Sequence, residues 1–288
     1  MKCEDTNTPE ITAEVLLFDH EKKIEFIEDV TKKEVERKEA VYFAFPFEMD
    51  HPHFRYEIQT GVVDPVKDMY AGAGYEWFSV QHWVSVEQDG ASATVMPLDA
   101  ALVTLGDINR GAWPTQFGTR PGTVFSYAMN NYWDPNYRAG QGGHFRFRYV
   151  ITSAHAIDPV SLSRMGWEEM TPLETNEIGR KDKALNSIRP LSGEKSEFLK
   201  VSDPNLVLEA WKPAEDGNGT ILRFLDFGDA TRTVDVETPL LHLTEARQTD
   251  SVERDGQSLL LKGDGGFEFI IHPHEIVTVR ITGKNRLQ

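Results

Sequence analysis

Two short segments place paired imidazoles at a spacing that metal ligands use. His51-Pro-His53 and His272-Pro-His274 each carry two histidines separated by one residue, and on a strand both rings would share one face. Imidazole suits zinc, but a zinc site takes at least three protein ligands. Neither pair has an obvious third ligand, and each proline disfavours a regular strand. Both pairs are therefore interpreted as loop histidines, and we predict no metal site in this chain.

Motifs for nucleophilic and phosphate chemistry are also missing from the sequence. There is no Gly-x-Ser-x-Gly elbow and no glycine fingerprint of a nucleotide site. Cys3 lies in a polar terminal stretch, away from any predicted electropositive pocket. Among 46 acidic residues no carboxylate pair stands out, and Asp99, at the end of an apolar run, suits the capping of a turn. We therefore assign no catalytic residue.

Two aromatic runs carry the kinds of side chain that bind sugars. A sugar stacks its apolar ring face on an aromatic ring, while amides and carboxylates hold its hydroxyl groups. The run 130–136, Asn-Asn-Tyr-Trp-Asp-Pro-Asn, supplies all of these, and the run 76–83, Glu-Trp-Phe-Ser-Val-Gln-His-Trp, supplies two tryptophans and a glutamine. The alternative places the rings in a core and pairs the asparagines with loop backbone. The residues alone favour that alternative for the first run and leave the second run open.

The elements that must position these residues are short strands. Within 77–86, three valines and Phe78 alternate onto one face together with His82, while Trp77 and Trp83 share the other. Glycine- and proline-rich turns separate such runs, which is typical of a β-sandwich and disfavours βαβ units. The predicted strands of this half cover residues 41–47, 77–86, 123–133 and 144–152.

The pattern changes after residue 152. Asp158 is placed to cap a helix that runs to Met170, with Pro159 at its first position. Residues 171–197 are polar and charged and indicate a linker or surface loop. Strands are predicted again at 205–212, 220–227, 231–236, 258–262, 267–272 and 276–282. We therefore predict a large β-domain over 1–200, with a helical and linker segment near 153–200, and a small β-sandwich over 201–288.

Composition restricts the partners of the chain. Its 46 acidic and 30 basic residues give a formal charge of −16, which repels phosphate backbones and anionic lipid but not a neutral sugar. We therefore expect neither nucleic acid nor membrane as a partner. One cysteine allows no intrachain disulfide, and residues 1–14 lack the apolar core of a signal peptide. These features predict a cytoplasmic location.

Several of these runs, taken in order, resemble one family. Residues 38–47, 75–86 and 130–133, followed by Gln-Gly-Gly at 141–143, look like the large β-domain of glycoside hydrolase family 38 α-mannosidases. Residues 212–227 and 267–280 resemble the terminal β-sandwich of that family, so the similarity extends from about residue 11 to residue 281. It implies an all-β fold, with a large galactose-mutarotase-like supersandwich followed by a small β-sandwich. The pair of strands at 11–30 resembles an interior part of the large domain, which implies that this domain is incomplete at its N-terminus.

The resemblance also implies which functions lie outside this chain. Enzymes of the family carry their aspartate nucleophile and their zinc in an N-terminal catalytic barrel and its helical neighbour, and this chain has no match to those segments. We therefore expect no cofactor here, zinc in the missing catalytic domain, and no activity of the chain alone. The expected partners are that catalytic domain, or a separate catalytic chain, and a mannoside. Because the large β-domain can lend loops to the rim of the sugar site, the predicted rim contacts are Trp77, His82, Asn131 and Trp133.

Two other functions stay open at this point. A stand-alone carbohydrate-binding module requires a solvent-accessible groove with at least two aromatic faces. A sugar-active enzyme on the supersandwich fold requires a histidine or carboxylate pair in a cleft. The support of a separate catalytic domain predicts instead an exposed apolar patch larger than the ~300–600 Å² typical of a monomer's largest patch.

Overall fold

The computed structural model describes residues 7–108, 113–131, 140–174 and 197–285. It separates into two compact units, Met1–Pro172 and Leu173–Gln288, and both consist mainly of antiparallel sheets. The all-β sandwich class predicted from the sequence is confirmed. Among the described residues, no helix combines the length and apolar character that crossing a bilayer needs. The predicted boundary between 200 and 201 stays a prediction, since residues 175–196 of the predicted linker lie outside the described residues.

The first unit contains two facing sheets and one helix. The larger sheet has seven strands in the order β1 (Glu10–Leu17), β2 (Ile24–Lys32), β11 (Gly143–Ala154), β8 (Ala91–Pro97), β7 (Val84–Gln88), β4 (His53–Ile58) and β5 (Gly61–Val63). The smaller sheet has four strands in the order β3 (Ala40–Pro46), β10 (Thr123–Asn130), β9 (Leu102–Leu105) and β6 (Phe78–Ser79). Every neighbouring pair is antiparallel, so both sheets can leave one face to solvent or to other elements.

Alternating apolar residues from both sheets form the core between them. Val95 of the larger sheet and Val124 of the smaller sheet are fully buried there. The ring of Phe45 lies 4.9 Å from that of Tyr149, and the Tyr149 hydroxyl donates a hydrogen bond of 3.0 Å to the Ser126 hydroxyl. Burial raises the pKa of Tyr149 well above its ordinary value, so the phenol stays neutral. Rings and one buried hydrogen bond therefore tie the two sheets together.

The segment 77–86 is not one strand, and this prediction was wrong. Its first part, β6, pairs with β9 in the smaller sheet, whereas its last part begins β7 in the larger sheet. Residues 80–83 carry the chain from one sheet to the other. Both ends bury side chains in the same core from opposite sides, so the alternation continues although the strand does not. The face that Trp77 and Trp83 were predicted to share therefore does not exist.

The single described helix of the first unit, α1 (Pro159–Met170), follows the sequence prediction closely. The Asp158 carboxylate accepts a hydrogen bond of 3.2 Å from the Val160 amide, and proline begins the helix, as expected for an N-terminal cap. Leu162 of the helix packs with Trp83 on the face of the larger sheet that points away from the core. The helix thereby covers the second face of that sheet.

The second unit is a smaller sandwich. One sheet has the order β12 (Lys200–Val201), β15 (Arg232–Glu237), β19 (Gly266–Ile271) and β18 (Leu260–Lys262). The other has the order β13 (Leu206–Pro213), β14 (Thr220–Asp226), β20 (Ile276–Asn285), β16 (Leu241–Thr249) and β17 (Asp255–Ser258). Its core is apolar and fully buried, with Phe224, Val234, Phe267 and Val277 among its members.

The sequence analysis missed strand β16. Its register shifts between Leu243 and Glu245 where it pairs with β20, which marks a bulge. Because of that bulge, Leu243 and Ala246 both point into the core although they are three residues apart. A strict alternation of apolar and polar residues is therefore absent, and the strand has no period-2 signal.

Candidate functional site

A row of four aromatic rings, three of them stacked, lies on the outer face of the smaller sheet. Tyr42 of β3 and Tyr127 of β10 are direct cross-strand neighbours, and their rings stack at 4.5 Å with an angle of 4°. Trp77 stacks on Tyr127 at 5.9 Å, and Trp113 meets Trp77 edge-on at 5.6 Å. Strand alternation sends Phe43 and Phe45 into the core and Tyr42 to the opposite face. We call these four residues the aromatic row.

The aromatic row ends at a surface where its last ring is open to solvent. Tyr127 is buried, Trp77 is half-buried, and Trp113 is 58% exposed. The Trp77 indole N–H is buried and has no hydrogen-bond partner among the described residues. An orphan buried donor is uncommon in folded proteins and costs stability. The row therefore ends in an exposed tryptophan that Trp77 contacts edge-on.

A cleft of about 500 Å³ lies beside Trp113. Its lining includes polar and charged groups together with the indole ring: Tyr75, Glu76, Thr104, Asp107, Trp113 and Arg120. The size is that of pockets that hold small organic ligands. Aromatic, carboxylate, hydroxyl and guanidinium groups thus meet in one concave surface.

Arg120 forms a fixed wall of this cleft. Its guanidinium donates hydrogen bonds of 2.8 Å to the Leu105 carbonyl and 2.9 Å to the Tyr75 carbonyl, and it lies 4.4 Å above the Phe117 ring. Burial lowers the pKa of Arg120, although nearby carboxylates partly oppose that effect. Gly106 has φ of 77°, and a Cβ there would lie 2.3 Å from the Arg120 Cβ. A glycine is therefore needed at 106, both for its backbone conformation and for the close approach of Arg120.

Glu76 supplies an unusual acceptor in the same cleft. Its side chain is only 6% exposed, and it accepts no hydrogen bond from the described residues. It lies close enough to Arg120 for its negative charge to act against the lowering of the pKa of Arg120 by burial. Buried carboxylates normally accept several hydrogen bonds. Glu76 therefore has unused capacity to accept hydrogen bonds from a bound molecule.

The predicted rim residue Asn131 lies at the end of β10 and is buried. Its amide oxygen accepts a hydrogen bond of 2.6 Å from the Glu39 amide, and its amide nitrogen donates to the carbonyls of Val35 at 2.6 Å and Arg37 at 2.9 Å. The visible contacts of Asn131 therefore organise the loop before β3. A sugar contact at this residue stays a prediction.

The predicted rim residue His82 is also buried, under helix α1. Its Nδ1 lies 2.9 Å from Glu57 Oε2, and the other oxygen of Glu57 accepts a hydrogen bond of 2.5 Å from the Ser163 hydroxyl. Gly166 of the helix approaches so closely that a Cβ there would lie 2.4 Å from the His82 Cβ. These contacts fasten the helix to the sheet, and a sugar contact by His82 stays a prediction.

The two remaining rim candidates have different outcomes. Trp77 belongs to the aromatic row, whereas Trp133 lies outside the described residues. Sequence reasoning missed Tyr42, Tyr127, Trp113 and Arg120. Trp113 alone carried a local signal, since it is the one large aromatic residue in the polar stretch 106–116.

Three of the four paired histidines, His51, His272 and His274, lie in loops, whereas His53 is the first residue of β4, so the loop interpretation was wrong for His53. His53 Nε2 lies 2.7 Å from Asp64 Oδ2, and His272 Nδ1 lies 2.9 Å from the Thr231 hydroxyl. Across the described ranges, no group of three or more histidine, cysteine or acidic residues could hold a metal ion. The described residues therefore do not fit the zinc that the family resemblance implies for its enzymes. Asp99, at the bend, accepts hydrogen bonds from the Arg148 amide at 2.8 Å and from its guanidinium at 3.0 Å.

Comparison with known proteins agrees with the family resemblance. Residues 205–279 match the model of the glycosyl hydrolases family 38 C-terminal beta sandwich domain. The fold of an α-mannosidase from Enterococcus faecalis V583 matches 94% of this chain with a TM-score of 0.65 and 15% identity. No curated protein sequence matches the chain.

These matches define the class of protein and its limits. The chain has a fold similar to that of part of an α-mannosidase, and its second unit contains a match to the C-terminal β-sandwich domain of family 38. The predicted resemblance is therefore confirmed. The chain spans only 29% of the length of the α-mannosidase that it matches. At 15% identity the structural likeness shows the fold and not the activity.

Proposed function

We propose that this chain is the non-catalytic, carbohydrate-associated β-portion of an α-mannosidase-type glycoside hydrolase. The observation that carries the proposal is the match of 94% of the chain to 29% of an α-mannosidase, joined to the family 38 match at residues 205–279. In this proposal a catalytic domain, or a separate catalytic chain, carries the zinc and the nucleophile. The role of this chain is to support that partner and to border its sugar site.

An uncovered apolar surface on the first unit supports the docking of such a partner. Strand β3 is the last strand of the smaller sheet, and its Phe45 packs at 6.1 Å against Phe26 of β2. In the larger sheet β1 is the edge strand next to β2, so it lies beyond the contact between Phe26 and Phe45. On its inward face Val15 is exposed and Leu17 is 75% exposed. Apolar side chains on one face of a strand normally indicate a covering element.

Glu28 adds a charge requirement to this surface. It lies on the inward face of β2, opposite Ala13 of β1 and Phe147 of β11. Burial raises its pKa, and no basic residue pairs with it within the described part of the chain. A partner segment that is apolar and carries a basic side chain opposite Glu28 fits this surface. We therefore place the contact with the catalytic portion on the inward face of the β1–β2 hairpin.

The first experiment asks whether the chain has activity of its own. Purified chain is assayed with an aryl α-mannoside, with and without added zinc, and we expect no turnover in either condition. Turnover that persists through purification and is lost in Glu76→Gln and Asp107→Asn variants would contradict the proposal. That result would favour the alternative of a sugar-active enzyme, because both carboxylates line the described cleft.

A second experiment tests the docking surface. The chain is co-expressed with the α-mannosidase catalytic polypeptide of the same organism, and the tagged chain is isolated. We expect a complex with the wild-type chain and with Leu173→Lys, but not with Leu17→Lys. Leu173 is a matched control, since it is 99% exposed and lies in the other unit. Equal recovery of the complex with Leu17→Lys would show that the hairpin is not the contact.

The proposed compartment is the cytoplasm. One cysteine in 288 residues suits a reducing environment. Fractionation of cells that express the protein from its own gene tests this part of the proposal.

A further inference from the structure

We propose that the cleft beside Trp113 is a saccharide-binding site for a neutral hexose. The choice of a mannoside as its ligand rests on the proposed function, whereas the cleft and its chemistry do not. Three features of the described residues lead to this assignment: an exposed aromatic face, a buried carboxylate that lines the cleft, and a packed frame around both.

The aromatic face is that of Trp113. Its ring is 58% exposed at the cleft, and its edge is braced by Trp77 and, through Trp77, by Tyr127. The C–H groups on one side of a hexose ring form an apolar surface that stacks on an indole. Because the aromatic row already holds Trp113, little conformational entropy is lost when a sugar stacks on it. The contact with Trp77 therefore orients the exposed indole of Trp113 for stacking.

The polar recognition group is the carboxylate of Glu76. It is nine-tenths buried, lines the cleft, and accepts no hydrogen bond from the described residues. Two neighbouring hydroxyl groups of a sugar can each donate to one carboxylate oxygen, and hydrogen bonds to a charged acceptor are stronger than neutral ones. The same lining includes the Thr104 hydroxyl, which donates to the Asp107 carbonyl at 2.9 Å and keeps its lone pairs as acceptors.

The charges of the cleft restrict the ligand to a neutral molecule. Glu76 and Asp107 both line it, and the whole chain carries a net charge of −16. Among the described lining residues Arg120 is the basic one, and two of its nitrogens already donate to backbone carbonyls. A phosphate or carboxylate ligand would meet two carboxylates and a guanidinium that is largely used. A neutral polyol meets no such repulsion.

The frame of the cleft is rigid enough to be specific. Arg120 is fixed by two backbone carbonyls and by the Phe117 ring, and Gly106 lets it approach the turn after β9. Glu76 and Trp77 are adjacent in sequence and directly precede β6. The same short segment therefore positions the carboxylate and the ring that contacts Trp113. A site whose groups are held by packing binds with less loss of entropy than one on free loops.

The test uses the full chain and two tryptophan variants. Methyl α-mannoside is titrated calorimetrically into the wild-type chain, Trp113→Ala and Trp211→Ala. Trp211 is the matched control, because it is 46% exposed and also meets one ring, Phe198, edge-on at 6.4 Å. We expect binding in the millimolar range, a loss of about tenfold or more in Trp113→Ala, and no change in Trp211→Ala. Circular dichroism and thermal unfolding confirm that each variant folds.

A third variant tests the carboxylate. Glu76→Gln keeps the size of the side chain and removes its charge, and we expect about tenfold weaker binding of methyl α-mannoside at unchanged secondary structure. If this variant does not fold, Asp107→Asn replaces it with the same expectation in direction. Methyl α-glucoside, titrated into the wild-type chain, reports whether the site selects mannose or accepts neutral hexoses in general; either result supports a saccharide site.

Three results would overturn the assignment. They are no heat of binding with either glycoside, equal loss of binding in Trp113→Ala and Trp211→Ala, or a site that prefers mannose 6-phosphate to methyl α-mannoside. These failures are distinguishable from failure of the proposed function. Absence of sugar binding leaves the inactivity of the chain and its docking to a catalytic polypeptide untouched, whereas turnover by the chain alone contradicts the proposed function and not the cleft.

Discussion

The two units differ in how well their paired sheets match in size. In the second unit a four-stranded sheet packs on a five-stranded sheet, whereas in the first a four-stranded sheet packs on a seven-stranded sheet. In the second unit Val252 and Leu260 are exposed singly, which is ordinary for a protein surface, and Phe198 meets Trp211 edge-on. In the first unit Val15 and Leu17 share one face of a strand that no described element covers. The first unit therefore carries the candidate binding surfaces, and the second is closer to a self-contained sandwich.

Ion pairs occur in both units, for example between Arg55 and Glu87 in the first. In the second unit Arg232 bridges Asp203 and Asp226, and Arg280 bridges Asp216 and Asp255. The Asp226 side chain is fully buried, so that pair is shielded from water. In the first unit, the corresponding polar contacts at Asn131 and His82 hold a loop and a helix against the sheets. The comparison thus predicts different responses to substitution in each unit.

The largest expected effect is in the second unit. Asp226→Ala removes the buried partner of Arg232 and the acceptor of the His274 amide, and we expect a loss of about 3 kcal/mol in the free energy of unfolding. Asp235→Ala is the control, because its pair with Lys262 is exposed and should cost less than about 1 kcal/mol. Urea unfolding, followed by tryptophan fluorescence, measures the free energy of unfolding of both variants. Similar losses in the two variants would show that burial is not what strengthens the Asp226 pair.

The next effect is in the first unit. Gly166→Ala places a Cβ against His82, and we expect a loss of about 2 kcal/mol through the forced separation of α1 from the sheet. Ser161→Ala, on the exposed side of the same helix, should cost less, although it loses a hydrogen bond to Asp158. Hydrogen exchange of the α1 amides measures the effect locally. Unchanged exchange in Gly166→Ala would mean that the helix is not held by this close approach.

The third prediction concerns pH. Burial of Asp64 opposes its ionisation, but hydrogen bonds from Lys67, His53 and the Val66 amide outweigh it and lower the pKa of Asp64 to about 2. A carboxyl whose pKa is lower in the folded state than in the unfolded state, at about 4, stabilises the fold above pH 4. That contribution, about 1–2 kcal/mol after solvent screening, is lost as the pH falls from 4 to 2. Asp64→Asn should therefore unfold with a weaker dependence on pH in this window than the wild-type chain.

The smallest effect sharpens the assignment of the docking surface. Since burial raises the pKa of Glu28, its ionised form is less favourable in the folded chain, and folding is penalised above the unfolded pKa. Glu28→Gln should therefore stabilise the isolated chain at neutral pH by a few tenths of a kcal/mol. Glu14→Gln, on the opposite face of β1, is the control with no gain expected. Thermal unfolding at pH 7 and pH 4 compares them, and a gain at pH 4 alone would contradict the argument.

Local rules account for much of the fold that was predicted. Asp158 and Pro159 determine where α1 begins because capping is a contact between adjacent residues. Strands β3, β10, β11, β14 and β19 follow from runs of β-branched and aromatic residues. Two features were missed: the passage of residues 80–83 from one sheet to the other, and strand β16. The apolar alternation continues through the first, and the bulge in β16 removes the alternation that would have indicated a strand.

The candidate site was the least accessible to sequence reasoning. Tyr42, Trp77, Trp113 and Tyr127 are brought together from four separate parts of the chain, and only the pairing of β3 with β10 places the two tyrosine rings in register. The rim prediction selected His82 and Asn131 by type, although the structure gives both side chains partners inside the first unit. A polar residue in an aromatic run has the same sequence signal whether it faces solvent or a neighbouring loop.

The sequence by itself determined the all-β class, the cap of the one described helix and the resemblance to the β-domains of family 38 α-mannosidases. These depend on residue periodicity, on contacts between near neighbours, and on the order of motifs along the chain. The tertiary structure alone decided which aromatic rings stack, which carboxylates line the cleft beside Trp113, and which face of the β1–β2 hairpin the described elements leave uncovered. Those properties depend on residues far apart in sequence, whose distances are set only when the sheets pack.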